Sequence, residues 1–235
     1  MEGIETPAFH LPFHLLFGGL TADDEAIMTM SLVVVVLIVG FSYLTTRRLG
    51  MIPGGRQHIL EMIVEGLSGF LREMVGPDGP RYLPLIASLF LYIVVSNLLG
   101  IIPGFVSPTS SINTTLALAL VAFFSYHAMG LRAKGLAYFK DFLGPVWWLA
   151  PLMLPLEIIS HLARILSLSF RLFGNIKGDE IVVAILVLLA GLVHYIIPFQ
   201  IFMLPLAIFT GVVQALIFTM LTTIYIASAV AEEAH

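Results

Sequence analysis

The sequence predicts an all-α polytopic membrane protein with five membrane-embedded helices and one amphipathic interfacial helix. Of its 235 residues, 59% are hydrophobic and only 11% are charged. Its mean hydropathy is +1.01, whereas about a quarter of the residues in soluble domains are charged. Several apolar stretches also reach the roughly 20 residues that a helix needs to cross a bilayer core of about 30 Å.

Charge and motif content narrow the functional classes. The net charge is −4, and the eleven Lys and Arg residues form no basic run, so no nucleic-acid partner is expected. The chain has no cysteine, which excludes disulfide and thiolate chemistry. We find no nucleophile motif, phosphate-binding glycine loop or strongly spaced metal-ligand cluster. We therefore expect no catalytic centre, cofactor or metal, and partners that lie in the bilayer.

The first span sets the orientation. Residues 1–27 are expected to form an N-terminal segment on the outer side of the membrane, and residues 28–235 are expected to form a single membrane domain whose first span is 28–46. Acidic residues precede this span, and three arginines follow it, namely Arg47, Arg48 and Arg56. Because cytoplasmic loops are enriched in basic residues, the N-terminus is predicted to be outside.

The next three elements follow from periodicity and charge. Residues 56–75 carry polar side chains at i+3 and i+4 spacing, which predicts an amphipathic helix on the membrane surface or against the bundle. Residues 82–102 and 114–131 are predicted to span the membrane. Basic residues then mark the cytoplasmic side, namely Arg132, Lys134 and Lys140.

Two apolar stretches near the end, 143–176 and 181–229, are longer than a perpendicular span requires. They must tilt strongly, bend or break. The sequence "FGNIKGDE" between them predicts a hairpin turn. Four prolines offer places to bend, namely Pro151, Pro155, Pro198 and Pro205. With five spans and the N-terminus outside, the C-terminus is predicted to be cytoplasmic.

A polar seam runs along the first long stretch. Glu157, Arg164 and Arg171 are seven residues apart, so on an α-helix they drift by only about 20° per step and share one face. Further polar side chains fall on the same side at i+3 and i+4 positions, namely Ser160, His161, Ser167 and Asn175. A simple explanation exists for Arg164 and Lys177, which can reach the headgroups or pair locally with Glu157 or Asp179.

Arg171 does not fit that explanation. It lies mid-stretch among leucines and phenylalanines, with no acidic residue within one helical turn on its face. A central arginine costs on the order of 2.5–3.5 kcal/mol on membrane-insertion scales, so it normally faces a cavity or a partner charge. His194 lies in another apolar segment, where packing and proton handling are both open.

The residues around Arg171 resemble a known family. "EIISHLARILSLSFRLFGNIKGDEIV" is similar to the signature of subunit a of F-type ATP synthases, the membrane stator that faces the ring of c subunits. Three other blocks resemble that family in the same order: "PGGRQHILEMIVEGL", "NLLGIIPG" with "PTSSINTTLALAL", and "QALIFTMLTTIYIASAVAEE". The resemblance covers nearly the whole chain after residue 50.

The resemblance implies a non-catalytic, ion-translocating stator subunit in a bacterial plasma membrane. Its long, tilted last two helices would form a hairpin against the c-ring, and its partners would be the c-ring, the peripheral-stalk b subunits, other ATP synthase subunits and membrane lipid. By motif, Arg171 matches the family's essential arginine. Asn175 and Glu180 match polar residues of the ion pathway, and Gln214 matches the glutamine opposite the arginine.

Two positions depart from the family pattern. Asp179 stands where the family often has Gly or His, and Ala207 stands where it often has His or Glu. Asp179 and His194 are both candidates for the ionisable group that Ala207 lacks. Glu180 has a competing interpretation as the N-terminal cap of the following helix.

Two other classes of protein remain open from the residues alone. A secondary transporter or ion channel can use the same polar seam as a substrate path. An intramembrane transferase would use His161 or Asp179 as its base and would turn over substrate as an isolated chain.

Overall fold

The computed structural model describes residues 21–47, 54–102, 104–135, 138, 150–192 and 199–230. It contains six long helices: α1 (Ala22–Thr46), α2 (Gly55–Val75), α3 (Leu83–Leu99), α4 (Ile112–Lys134), α5 (Ala150–Leu192) and α6 (Phe199–Val230). Short 3₁₀ turns precede α3 and α4, at Gly79–Tyr82 and Pro108–Ser110. Within these ranges there is no strand, which confirms the predicted all-α class.

Within the described residues, five segments are long and apolar enough to cross a membrane, namely Asp23–Thr46, Gly79–Leu99, Ile112–Lys134, Pro151–Leu186 and Met203–Val230. The chain is therefore a multi-pass membrane protein. The helix α2 is not among these five, in agreement with its predicted amphipathic character. Its Leu67 and Leu71 are buried in the bundle, whereas its charged side chains are exposed or half-buried.

The first helix begins at Ala22, before the predicted start at residue 28. Thr21 caps it: the Thr21 side chain accepts a hydrogen bond from the Asp24 amide, and the Asp24 carboxylate accepts one from the Thr21 amide. Acidic residues fill the first turn, at the positive end of the helix dipole. Capping and charge thus extend the helix beyond the apolar stretch.

The fifth helix differs most from expectation. The hairpin turn predicted at 177–180 is wrong, because α5 continues through Gly174 and Gly178 to Leu192. An isolated glycine costs a helix only about 1 kcal/mol relative to alanine, so two glycines do not end a long apolar helix. The connection between α5 and α6 falls at 193–198, outside the described residues. Residues 143–149 of the predicted stretch also lie outside them.

Both last helices are longer than a perpendicular crossing allows. The 43 residues of α5 and the 32 residues of α6 correspond to roughly 65 and 48 Å at 1.5 Å per residue, against a core of about 30 Å. Pro155 lies inside α5 and Pro205 inside α6, and neither ends its helix. Strong tilt is therefore the way in which such helices fit a bilayer.

The core lies where α6 meets the other helices. The helix α6 contacts α2, α3, α4 and α5, and its Phe218 and Ile226 are fully buried. Its buried threonine side chains donate to carbonyl groups one turn earlier, which satisfies hydroxyls that water cannot reach; they are Thr219, Thr222 and Thr223. Large apolar side chains on the outer faces of α1 and α5 remain exposed, as a lipid-facing surface requires.

Candidate ion-translocation site

Arg171 lies on an exposed face of α5. Leu168 and Leu172 on the other side of the helix are buried in the core, whereas Arg171 and its neighbour Phe170 are exposed. Ser167, one turn earlier, is exposed on the same side. Within the described part of the chain, Arg171 makes no hydrogen bond or ion pair. Among the described residues, the bundle thus presents a guanidinium without a partner on a surface that is largely apolar.

One turn further along α5, a side-chain hydrogen bond joins the two long helices. The Asn175 Nδ2 atom donates to the Oε1 atom of Gln214 over 2.5 Å. Gln214 is only 2% exposed, so the acceptor of this hydrogen bond is buried in the bundle. The structure therefore brings together Asn175 and Gln214, which lie 39 residues apart in sequence.

A cavity of about 520 Å³ begins close to this point. It lies between α3, α5, α6 and the loop that follows α3. Asp179 and Glu180 of α5 line it together with Ala207 of α6. The polar side chains Asn97 and Ser107 line its other wall. The two acidic residues and the family-variant position Ala207 thus share one cavity.

The two acidic residues of the cavity differ in their partners. The Lys177 Nζ atom donates to the Glu180 carboxylate over 2.8 Å, as expected for side chains three residues apart on a helix. The predicted pairing of Lys177 with Asp179 is therefore wrong. Asp179 makes no hydrogen bond or ion pair with the residues that the structure describes. The interpretation of Glu180 as a helix cap is also wrong, because Glu180 lies inside α5.

A hydrogen-bonded network forms the cavity wall opposite α5. The Asn97 side chain donates to the Gly211 carbonyl over 2.9 Å and accepts from the Thr109 hydroxyl over 2.7 Å. The Ser107 and Thr109 hydroxyls are 2.7 Å apart. Gly211 permits this contact, since a Cβ atom there would lie 3.1 Å from the Asn97 Cβ. The sequence analysis did not predict this network; its signal was the polar block "PTSSINTT".

The earlier half of the seam is paired within the chain. The His161 Nε2 atom lies 3.3 Å from the Glu157 carboxylate, and its Nδ1 atom lies 2.9 Å from the Tyr126 hydroxyl of α4. The Arg164 guanidinium lies over the Tyr225 ring of α6, 5.2 Å from its centroid. The predicted pairing of Arg164 with Glu157 is not among the contacts of the described residues, since His161 takes that partner instead.

One predicted residue cannot be placed. His194 lies outside the described residues, so its choice between packing and proton handling stays a prediction. Of the other predicted residues, Asn175 contacts Gln214, Asp179 and Glu180 share the cavity, and Ser167 and Arg171 share the exposed face.

The fold and site define a polytopic helical membrane protein. Its helix α5 carries an arginine that has no partner among the described residues and lines a cavity that contains two acidic side chains. The sequence matches the family model described as ATP synthase A chain over residues 27–227. It is 47% identical over 208 residues to ATP synthase subunit a 2 of Syntrophotalea carbinolica, covering 88% of this chain and 86% of that protein.

Two further relatives extend this similarity over still more of the chain. ATP synthase subunit a of Helicobacter hepaticus is 46% identical over 224 residues, covering 93% of this chain and 97% of that protein. ATP synthase subunit a of Desulfotalea psychrophila is 42% identical over 236 residues, covering 100% of this chain and 95% of that protein. The chain belongs to the ATP synthase A-chain family.

Proposed function

We propose that this chain is the stationary ion-translocating subunit of a rotary ATP synthase in a bacterial plasma membrane. In this role it couples proton flow to rotation of a ring of c subunits and makes no ATP itself. Family membership supports the assignment. The observation that carries the mechanism is the exposed Arg171, which has no partner within the described residues. An unpaired cation on a lipid-facing helix calls for a counter-charge from another molecule.

The counter-charge is a carboxyl group on the rotor. A guanidinium nearby favours the ionised form of a carboxyl group, so each rotor carboxyl releases its proton as it reaches Arg171. An ion pair at 4 Å with an effective dielectric of 20 is worth about 4 kcal/mol. A barrier of this height is crossed in about a nanosecond or less. The attraction is therefore strong enough to discharge the rotor group and weak enough to let the ring turn.

Arginine also separates two aqueous half-channels. Such channels would leak protons if the residue between them could accept and release one. A guanidinium stays protonated in proteins, whereas a lysine loses its proton readily when buried. Arg171 thus acts as an electrostatic partner for the rotor and as a barrier between the channels.

The cavity beside α5 is the proposed outer half-channel. It contains the carboxyl groups of Asp179 and Glu180 and the polar wall of Asn97 and Ser107, and proton relay requires such titratable and hydrogen-bonding groups. Glu180 is held by Lys177, so Asp179 is the carboxyl group of the cavity without a partner among the described residues. We assign to Asp179 the role that an ionisable side chain at Ala207 plays in other members of the family.

The orientation follows from the basic residues. Arg47 and Arg56 lie near the end of α1 and the start of α2, and Arg132 and Lys134 lie at the end of α4. The positive-inside rule assigns these ends to the cytoplasm. With five spans, the N-terminus lies outside and the C-terminus lies in the cytoplasm.

Cysteine cross-linking tests the proposed rotor contact, and a natural chain without cysteine makes the experiment clean. Ser167 is exposed beside Arg171, whereas Ser169 is buried and bonded to Thr115 over 3.0 Å. In membranes that contain a c subunit with one cysteine on its outer helix, we expect Ser167→Cys to form a disulfide with the ring and the matched variant Ser169→Cys to form none. Equal yields from the two variants, or none from Ser167→Cys, would contradict the proposed contact.

Purification separates this proposal from a transporter or channel. A stator subunit is expected to co-purify with an oligomer of c subunits, together with the peripheral-stalk b subunits. A transporter that uses the same seam is expected to purify without them and to carry a substrate when it is reconstituted alone.

A further inference from the structure

A series of buried hydrogen bonds runs from the loop between α3 and α4 to the backbone of α6. In the loop, the Ser107 and Thr109 hydroxyls are 2.7 Å apart. The Thr109 hydroxyl donates to the Asn97 side chain of α3 over 2.7 Å, and Asn97 donates to the Gly211 carbonyl of α6 over 2.9 Å. The three side chains are at most 4% exposed. We call this series the Asn97 network.

Proton counting fixes the direction of the Asn97 network, because each hydroxyl group has one proton to donate. Thr109 gives its proton to the Asn97 Oδ1 atom, so Ser107 is the donor in its contact with Thr109. The Asn97 Nδ2 atom then faces the Gly211 carbonyl. If the amide group were turned over, its oxygen would face that carbonyl, and two buried acceptors would meet. The Asn97 amide group therefore has one favoured orientation.

The loop end of the Asn97 network is packed tightly against α3. A Cβ atom at Gly100 would lie 2.5 Å from the Ser107 Cβ atom, so a residue without a side chain lets the loop approach the helix this closely. The Ser107 hydroxyl group also donates to the Ser96 carbonyl over 3.1 Å, the longer of its two contacts. The loop and the end of α3 thus form one packed unit, which carries Asn97 on the side of α6.

The other end of the Asn97 network lies one helical turn from a residue of the candidate site. Gly211 and Gln214 are three residues apart on α6, so they are neighbours on its surface. Gln214 accepts the hydrogen bond from Asn175 and is buried. A shift of α6 by one residue would move this acceptor by about 1.5 Å, which is more than the roughly 0.5 Å range of a hydrogen-bond distance. The contact between the two long helices therefore depends on the register of α6.

A polar contact fixes such a register better than apolar packing does. Hydrophobic burial has no direction, whereas a hydrogen bond to one carbonyl has a narrow range of distances and angles. Gly211 lies inside a continuous helix, where carbonyls already accept from amides four residues later. The bond from Asn97 therefore adds position to α6 and is not needed to satisfy its backbone. Setting the register of packed helices is the best supported use of a buried polar side chain.

We propose that Asn97 is a positioning residue that holds α6 at the register in which Gln214 meets Asn175. Thr109 and Ser107 orient the Asn97 amide group for this bond. The role rests on the proposed function and on the ion-pathway roles that the family resemblance implies for the Asn175–Gln214 pair. Thr109 is fully buried and does not line the cavity, so it acts through Asn97 and not by contact with the translocated ion.

Removal of the Thr109 hydroxyl group tests this role in the assembled complex. We expect Thr109→Val to lower the ATP-driven pumping rate per assembled complex by about twofold to tenfold, the range of one hydrogen bond between neutral groups. Thr109→Ser keeps the hydroxyl group and is expected to retain most of the natural rate. A purely structural role would change the amount of assembled complex and leave the rate per complex unchanged, which would overturn the proposal.

The matched control is Ser110→Ala. Ser110 is buried in the same turn, but it donates to the Ser107 carbonyl over 2.9 Å and is not part of the Asn97 network. We expect this variant to pump at nearly the natural rate, and a loss equal to that of Thr109→Val would contradict the proposal. If Thr109→Val does not assemble, Ser107→Ala removes the first donor, leaves Thr109 and Asn97 in place, and is compared with the same control.

A double variant tests the route through Gln214. If Asn97 acts by placing Gln214, Thr109→Val should add little to the loss caused by Gln214→Leu, because both changes disturb one arrangement. Additive losses, or normal pumping with Gln214→Leu, would contradict this route. Arg171→Ala is measured in parallel: near-normal pumping with that variant would refute the proposed function itself, whereas a failure confined to the Thr109 comparisons would remove only the role of Asn97.

Discussion

The polar seam on α5 has two halves, residues 157–164 and 167–175, which both carry an arginine. They differ in whether that arginine has a contact within the chain. In the first half, His161 contacts Glu157 and Tyr126, and Arg164 lies over the Tyr225 ring. In the second half, Arg171 is exposed and has no partner among the described residues. The two arginines are seven residues apart on the same helix face. Arg164 has a contact within the chain, whereas Arg171 has none among the described residues.

The difference shows how to separate structural from functional charges within one helix. A polar side chain that finds a partner on a neighbouring helix offsets its desolvation locally and can serve packing alone. A charged side chain on an apolar surface without a partner carries the free-energy cost of its desolvation until a counter-charge from another molecule binds it. We therefore expect substitutions in the two halves to affect different properties: stability in the first half and proton coupling in the second.

The largest effect is expected at Arg171. Arg171→Ala should abolish ATP-driven proton pumping by the assembled complex, because no other cation would discharge the rotor carboxyl group, while ATP hydrolysis by the soluble part continues. Arg171→Lys should also fail to pump, since a lysine can lose its proton between the half-channels. Acidification of membrane vesicles on ATP addition measures the effect. Near-normal acidification with Arg171→Ala would refute the proposed mechanism.

A large effect is expected at Glu180. Glu180→Gln should slow proton pumping by on the order of tenfold or more, because an amide cannot take part in proton relay. Glu180→Asp and Glu180→His keep a titratable group and should retain part of the rate. Lys177→Gln removes the ion pair but keeps the carboxylate, so it serves as the control. Equal rates for Glu180→Gln and the natural chain would leave Glu180 with no role beyond its contact with Lys177.

A smaller effect is expected at Asp179, because Glu180 remains in the same cavity. Asp179→Asn should lower the pumping rate less than Glu180→Gln does. Adding Ala207→His should restore part of the rate, since position 207 lines that cavity. The matched control is Ile208→His, which introduces the same side chain at an exposed neighbour that does not line the cavity. Rescue by both histidines, or by neither, would argue against a shared proton path.

The smallest effect on pumping is expected at Arg164. Arg164→Ala should leave the pumping rate close to that of the natural chain and should lower stability by about 1–2 kcal/mol, because its cation–π contact with Tyr225 is half-buried. Tyr225→Leu should cause a similar loss, and the double variant should lose less than the sum, because both changes remove one contact. Thermal inactivation of the purified complex measures this. A complete loss of pumping with Arg164→Ala would mean that the two arginines share one role.

Much of this molecule follows from its sequence. The apolar stretches predicted the spans, because the bilayer demands long apolar helices whatever their neighbours are. The amphipathic pattern of 56–75 predicted α2 correctly. The motif around Arg171 identified the family, and the seven-residue spacing predicted a shared face because helix geometry is local.

Tertiary structure decided the contacts between distant segments. The resemblance placed Gln214 opposite Arg171, but neither its hydrogen bond with Asn175 nor the contact of Arg164 with Tyr225 could be predicted, because helix packing sets these distances and local propensity does not. The sequence also suggested a turn at 177–180, where α5 continues. Only the packed bundle brings Asp179 and Ala207 to one cavity: which polar groups have partners depends on the surfaces that neighbouring helices present, and these form only when the whole bundle folds.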